Sequence, residues 1–129
     1  MVAKSFFFTK ITVGDPASVE DFYTAVLGLE VLVRVMDDDG RPRETVFVVP
    51  GNENCSRLIM ERRGHAGQTN PGETVLGFAV DDVDATVASA ITAGGALVHP
   101  PQDNEAHGIR IAFLTDPDGQ VIELLGPLS

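Results

Sequence analysis

Two glutamates in this chain each sit inside a short apolar run, Glu123 in QVIELLGP and Glu61 in SRLIMERRG. A carboxylate in such surroundings is costly to bury unless a partner satisfies it. Each is therefore a candidate metal ligand, general base or acceptor that orients a bound molecule. Strand alternation puts Val121, Glu123 and Leu125 on one face and Ile122 and Leu124 on the other,. Arg110 lies on the strand that leads into the DPDG turn and back to Glu123, so it is the expected cationic partner. His107, three residues earlier, is expected at the mouth of a cleft. His65 falls in a polar linker and His99 just after the strand ALV, and both read as surface or turn residues. The single cysteine, Cys55, excludes an internal disulfide, and nothing beside it in sequence would activate its thiol,.

Placing these residues takes strands and helices, and the chain writes them twice. Ile11 and Val13 alternate with Thr12 and Gly14 as in a half-buried strand,. Asp15 then caps a helix, Pro16 suits its first position, and Gly28 stops it,. Val19, Phe22, Tyr23 and Val26 fall on one face of that helix,. The second half repeats the pattern. A strand runs through Val80, Asp82 caps a helix carrying Val83, Val87, Ala90 and Ile91, and Gly94 and Gly95 end it. A shift of 67 residues lays Val13 on Val80 and Asp15 on Asp82. Three strands follow each helix: LEVLVRV, ETVFVVP and RLIMER, then ALVHP, RIAFLTD and QVIELL, with DDDG and DPDG as turns,. The expected fold is α+β, with two βαβββ units at residues 5–63 and 74–127 joined by the linker 64–73 in one domain spanning 1–129. One unit alone leaves an apolar sheet face open. Two side by side would form a curved mixed sheet whose concave face is a cleft.

The paired units, FYTAVLGLEV after the first strand, AGGALVHPP in the second half and the closing FLTDPDGQVIEL resemble the vicinal oxygen chelate superfamily. That group contains glyoxalase I, bleomycin and fosfomycin resistance proteins, methylmalonyl-CoA epimerase and extradiol dioxygenases. The resemblance runs from about Phe8 to Gly126. It implies, for metal-dependent members, one ligand on the first and one on the last strand of each unit, commonly two His and two Glu. The metal there chelates neighbouring substrate oxygens and stabilises an enediolate. Carried over by position, the last-strand ligands fall on Glu123 and on Glu61, or on Met60 if the register slips by one. The first-strand positions, usually histidine, fall on Phe8 and Val75, which cannot bind a metal. Two carboxylates alone make a poor transition-metal site, so no metal and no cofactor are expected.

The net charge of −10 and a pI near 4.5 argue against nucleic acid and anionic membrane surfaces as partners,. The chain has no long apolar span, and MVAKSFFF is followed by no small-residue cleavage site,. The protein is expected to be cytoplasmic, to bind a small molecule and to form a two-fold homodimer. The cleft would have an apolar floor from Phe8, Val75 and Phe78, with Glu123, Arg110, Glu61 and His107 supplying polar contacts,. Two function classes follow. In one the protein sequesters its ligand. In the other it is a lyase or isomerase for an α-hydroxy or α-keto compound, with Glu123 as catalytic base. A regulatory module without a ligand is a third.

Overall fold

The computed structural model describes residues 4–53, 56–64 and 69–129, so Cys55 and His65 lie outside the described residues. The chain divides into two compact units, Met1–Thr69 and Asn70–Ser129. The first contains β1 (Phe8–Val13), α1 (Pro16–Leu27), β2 (Glu30–Met36), β3 (Pro42–Val48) and β4 (Arg57–Arg62). The second contains β5 (Val75–Ala79), α2 (Val83–Thr92), β6 (Ala96–Asn104), β7 (Ile109–Thr115) and β8 (Val121–Gly126). Each unit is a four-stranded mixed sheet, ordered β1-β4-β3-β2 in one and β5-β8-β7-β6 in the other. The first and last strands of each unit pair in parallel and the other neighbours are antiparallel. The architecture is α+β with the βαβββ order repeated.

Local chemistry accounts for the elements. Asp15 accepts a hydrogen bond from the Ala17 amide at 3.0 Å, Pro16 occupies the first helical position, and Gly28 ends α1 in the left-handed region at φ 67°. Asp82 caps α2 by accepting from the Ala85 amide at 3.0 Å. The helices are narrower on their buried side than the spacing predicts. Val19, Phe22 and Tyr23 are buried but Val26 only partly, and Val83, Val87 and Ala90 are buried while Ile91 is exposed. Both exceptions lie near the helix C-terminus.

Each sheet has a face under its helix and a far face. In the first unit Ile11, Met60, Thr45 and Phe47 share the helix face, where the Tyr23 ring sits 5.6 Å from that of Phe47. In the second, Leu76, Ala112, Leu114, Ile122 and Leu124 are buried on the helix face. Gly126 continues that row, and a Cβ there would come within 2.8 Å of both the Val83 side chain and the Val80 carbonyl. Burying each of these large side chains stabilises the fold by about 1.5–3 kcal/mol. The two-residue period then delivers Glu61 and Glu123 to the far faces.

Candidate functional site

On the far face of the first unit, Glu61 is flanked by Thr12 of β1 and lies directly opposite Glu44 of β3. Met60, the alternative ligand position, points to the helix face with Ile11 and Thr45. Glu61 is only 2% exposed. Lys10, two residues before Thr12, extends along the same face and places its ammonium 3.0 Å from a Glu44 oxygen and 3.6 Å from a Glu61 oxygen. The hydrogen bond to Glu44 raises the Lys10 pKa despite partial desolvation. Burial would raise the Glu44 carboxyl, but its hydrogen bonds, led by that from Lys10, outweigh burial and lower it. Phe8 pairs with Arg57, four positions along β1 from Thr12, and is 44% exposed. It meets this cluster through Lys10, whose ammonium lies 5.9 Å from the Phe8 ring centre,. Thr12 is held from outside the sheet: its amide donates to the Thr69 hydroxyl at 2.9 Å, and its hydroxyl bonds the Thr69 backbone.

The far face of the second unit is different. Glu123 is half-buried, beside Gly77 of β5 and directly opposite Phe113 of β7. Val75 is on this face too, next to Val121 and 52% exposed. His99 of β6 is in register with Phe113, and the two rings meet edge to face with centres 5.5 Å apart. His99, Phe113, Ile111 and Gln102 line a cavity of about 530 Å³ that reaches Asn104 and Glu105.

Two sequence expectations need correction. Phe78 is in register with Leu124, so it faces α2 rather than Glu123, and Gly77 takes the place beside the carboxylate. Arg110 is three residues from Phe113, an odd step that turns it to the helix face,. There it donates to Asp84 at 2.7 and 3.0 Å and to Asp103 at 3.1 Å, and these carboxylates hold its pKa well above the ordinary value. His107 sits in the exposed β6–β7 turn, with its amide and ring nitrogen each 3.3 Å from the side-chain oxygen of Asn104, a residue that lines the cavity.

Arg110 is also the sole Lys or Arg of residues 70–129, against nine Asp and Glu. Its place on the helix face means that the second unit offers Glu123 no Lys or Arg of its own.

His99 and Gln102 were missed by sequence reasoning because β6 is irregular. Its register against β7 shifts between Leu97 and His99 and again between His99 and Gln102, around Pro100 and Pro101. Proline cannot donate to a ladder and is tolerated on an edge strand such as β6,. The two bulges bring His99 and Gln102 to one face although they are an odd number of residues apart. The Pro-Pro pair after ALVH was the available signal.

Known proteins carry the same architecture. The family model of the Glyoxalase/Bleomycin resistance protein/Dioxygenase superfamily matches residues 5–124. The chain belongs to this superfamily. A probable lactoylglutathione lyase of Vibrio parahaemolyticus is 32% identical over 123 residues, spanning 91% of this chain and 86% of that protein. Among solved structures, a glyoxalase-related enzyme from Fulvimarina pelagi superposes with a TM-score of 0.75 at 21% identity, covering 96% of this chain and 88% of the other. TnmS3, an antibiotic binding protein from Streptomyces sp. CB03234, superposes with a TM-score of 0.73 at 26% identity over 99% of both chains. The superfamily scaffold thus spans lyases and binding proteins, and the fold alone does not choose between them.

The metal of some superfamily members can be tested against the side chains present. Among the described residues, no group of three or more His, Cys, Asp or Glu is placed to hold a metal ion. Beside Glu61 stands an ammonium, which supplies donors and no lone pair,. Beside Glu123 stand Gly77 and Phe113. Within each unit these residues do not fit a divalent metal.

Proposed function

We propose that this superfamily member binds a small organic molecule on the far face of its second unit, without a divalent metal. The observation that carries the reading is the His99–Phe113 edge-to-face pair beside a cavity of about 530 Å³, with Glu123 directly opposite Phe113. Aromatic walls with a few placed polar groups are the usual composition of a small-molecule site, and the volume lies within the common range of about 300–1,000 Å³. Phe113 and His99 supply flat apolar contact, Gln102 supplies an amide, and Glu123 is the acceptor that fixes orientation. The charge of the unit favours a neutral or positively charged ligand, since its one cation is engaged on the opposite face. Homodimer formation and a cytoplasmic setting belong to the same proposal.

The second reading is a lyase or isomerase acting on an α-hydroxy or α-keto compound with Glu123 as base. The lactoylglutathione lyases among the relatives favour it. Against it, a carboxylate without a nearby Lewis acid is a weak activator of a carbon acid. A glutathione conjugate also brings carboxylates to a face on which its own unit places no Lys or Arg to receive them.

The deciding experiment is a thermal-shift and calorimetric screen of neutral and cationic aromatic compounds on protein purified without added metal, with S-lactoylglutathione included. Binding of an aromatic compound that weakens in Phe113→Ala, with no turnover of the methylglyoxal–glutathione adduct, is the expected result. Turnover abolished by Glu123→Gln would establish the lyase reading instead.

A further inference from the structure

The first unit's far face carries charge chemistry that the proposed function does not use. Glu44 and Glu61 are directly opposite one another on antiparallel strands, an arrangement that is destabilising for like charges. Glu61 is 2% exposed, so solvent does little to screen it. We propose that Lys10 is the resident cation of this face: its ammonium takes the position that a divalent metal would need between the two carboxylates, and so closes the face to metal.

The geometry supports this from three sides. Lys10 reaches both carboxylates, at 3.0 and 3.6 Å, from the neighbouring first strand. The Phe8 ring lies on the ammonium at 5.9 Å, a contact that also favours a positive charge,. An ammonium is a compact point charge with three donors. A metal ion would compete for the same oxygen lone pairs and would bring its charge against that of the lysine, so the two cannot share the site. The lysine also answers why the superfamily's first-strand histidine is dispensable here. The side chain that reaches Glu61 from β1 is that of Lys10, not Phe8. This inference deepens the metal-free part of the proposed function, yet its test reads cation binding in the first unit, whereas the ligand test reads the second.

The experiment is a Mn²⁺ titration of the full chain, followed by paramagnetic broadening of backbone amide signals in ¹H–¹⁵N spectra. The parent is expected to show no broadening centred on Thr12, Thr45 and Glu61. Lys10→His places a third ligand beside Glu44 and Glu61. It is expected to bind Mn²⁺ with a Kd on the order of 1 mM or tighter, as weak oxygen-rich sites do. Glu61→Gln added to Lys10→His should abolish that binding, which separates the site from adventitious binding at His65, His99 or His107. Lys10→Met gives an independent reading: its melting temperature should rise with added Mn²⁺ while the parent's stays fixed. Broadening at Glu61 in the parent that Glu61→Gln removes would overturn the proposal. So would a Lys10→His variant that binds no better than the parent together with a Lys10→Met variant whose melting temperature ignores Mn²⁺.

Discussion

Glu61 and Glu123 occupy matching places in two copies of one topology, each on the last strand of its unit and each turned away from the helix. Glu61 is buried and faces a second carboxylate, and Lys10 bridges the pair from the adjacent strand. Glu123 is half-buried against an aromatic ring and a glycine, in a unit whose sole Lys or Arg is on the opposite face. The first arrangement is self-contained: one ammonium ties both carboxylates within the sheet, and little is left to offer a ligand. The second is incomplete by itself, with an acceptor, aromatic surface and space beside it. One backbone plan therefore yields a structural ion cluster in one unit and a candidate binding face in the other. The difference comes from a lysine at one first strand and a glycine at the other.

The sharpest test of the face assignment compares neighbours on β8. Ile122→Ala removes a fully buried side chain from beneath α2 and should cost about 2–5 kcal/mol of stability. Glu123→Gln, one residue away on the far face, should change stability by less than about 0.5 kcal/mol. Urea denaturation of both variants checks this. Equal losses would mean that Glu123 is as deeply built into the fold as its neighbour.

Next in size is Lys10→Met, which strands two facing carboxylates. Breaking a buried ion pair costs about 3–5 kcal/mol. The Lys10 side chain is 35% exposed, so solvent screening reduces the expected loss to about 1–3 kcal/mol. Glu44→Gln added to Lys10→Met should recover part of it, because the remaining Glu61 then faces an amide. A double-mutant cycle by urea melts measures the coupling, and additive losses would show that the three groups do not act together.

A third test concerns ligand rather than stability. For an aromatic compound identified by the screen, Glu123→Gln should weaken binding by about 1–3 kcal/mol, the range for losing a hydrogen bond to a charged group. Isothermal titration reads it directly. Unchanged affinity would move the orienting role to Gln102 or to another residue along the cavity.

The repeat, both capped helices and the eight strands were legible in the sequence because caps, glycine stops and period-two alternation are local signals. Alternation within QVIELL also separated the two faces of β8 correctly. What failed were relations between strands. Arg110 looked like a partner for Glu123 because it lies on the pairing strand, but the side to which it points depends on which residue of β7 stands opposite Glu123. Phe78 failed for the same reason, by one residue of register against β8. His99 was hidden by bulges that no alternation rule anticipates. Lys10 was overlooked because strand spacing says little about how far a long side chain extends along a face. Each miss is a matter of register or side-chain reach, which pairing decides and local sequence does not.

The smallest expected effect tests the charge matching of the first unit at its hairpin. Asp37 accepts from the Asp39 and Arg41 amides at 2.9 Å each, which shapes the DDDG turn, and from the Arg62 guanidinium at 2.6 Å. The hydrogen bond from Arg62, with those amides, lowers its carboxyl from the ordinary 3.8 to about 2. The unfolded chain takes up a proton at the ordinary value while the folded chain still holds the carboxylate ionised. Stability from this group is therefore complete above the ordinary value and is lost as pH falls through the interval from 3.8 to about 2,. Asp37→Asn should remove that part of the acid dependence. Urea melts at pH values across the interval should show the parent falling toward the variant as pH drops, with the gap between them closing by the lower end. A gap that stays constant across the interval would mean that the folded and unfolded chains protonate Asp37 alike, and that neither Arg62 nor the turn amides favour its ionised form.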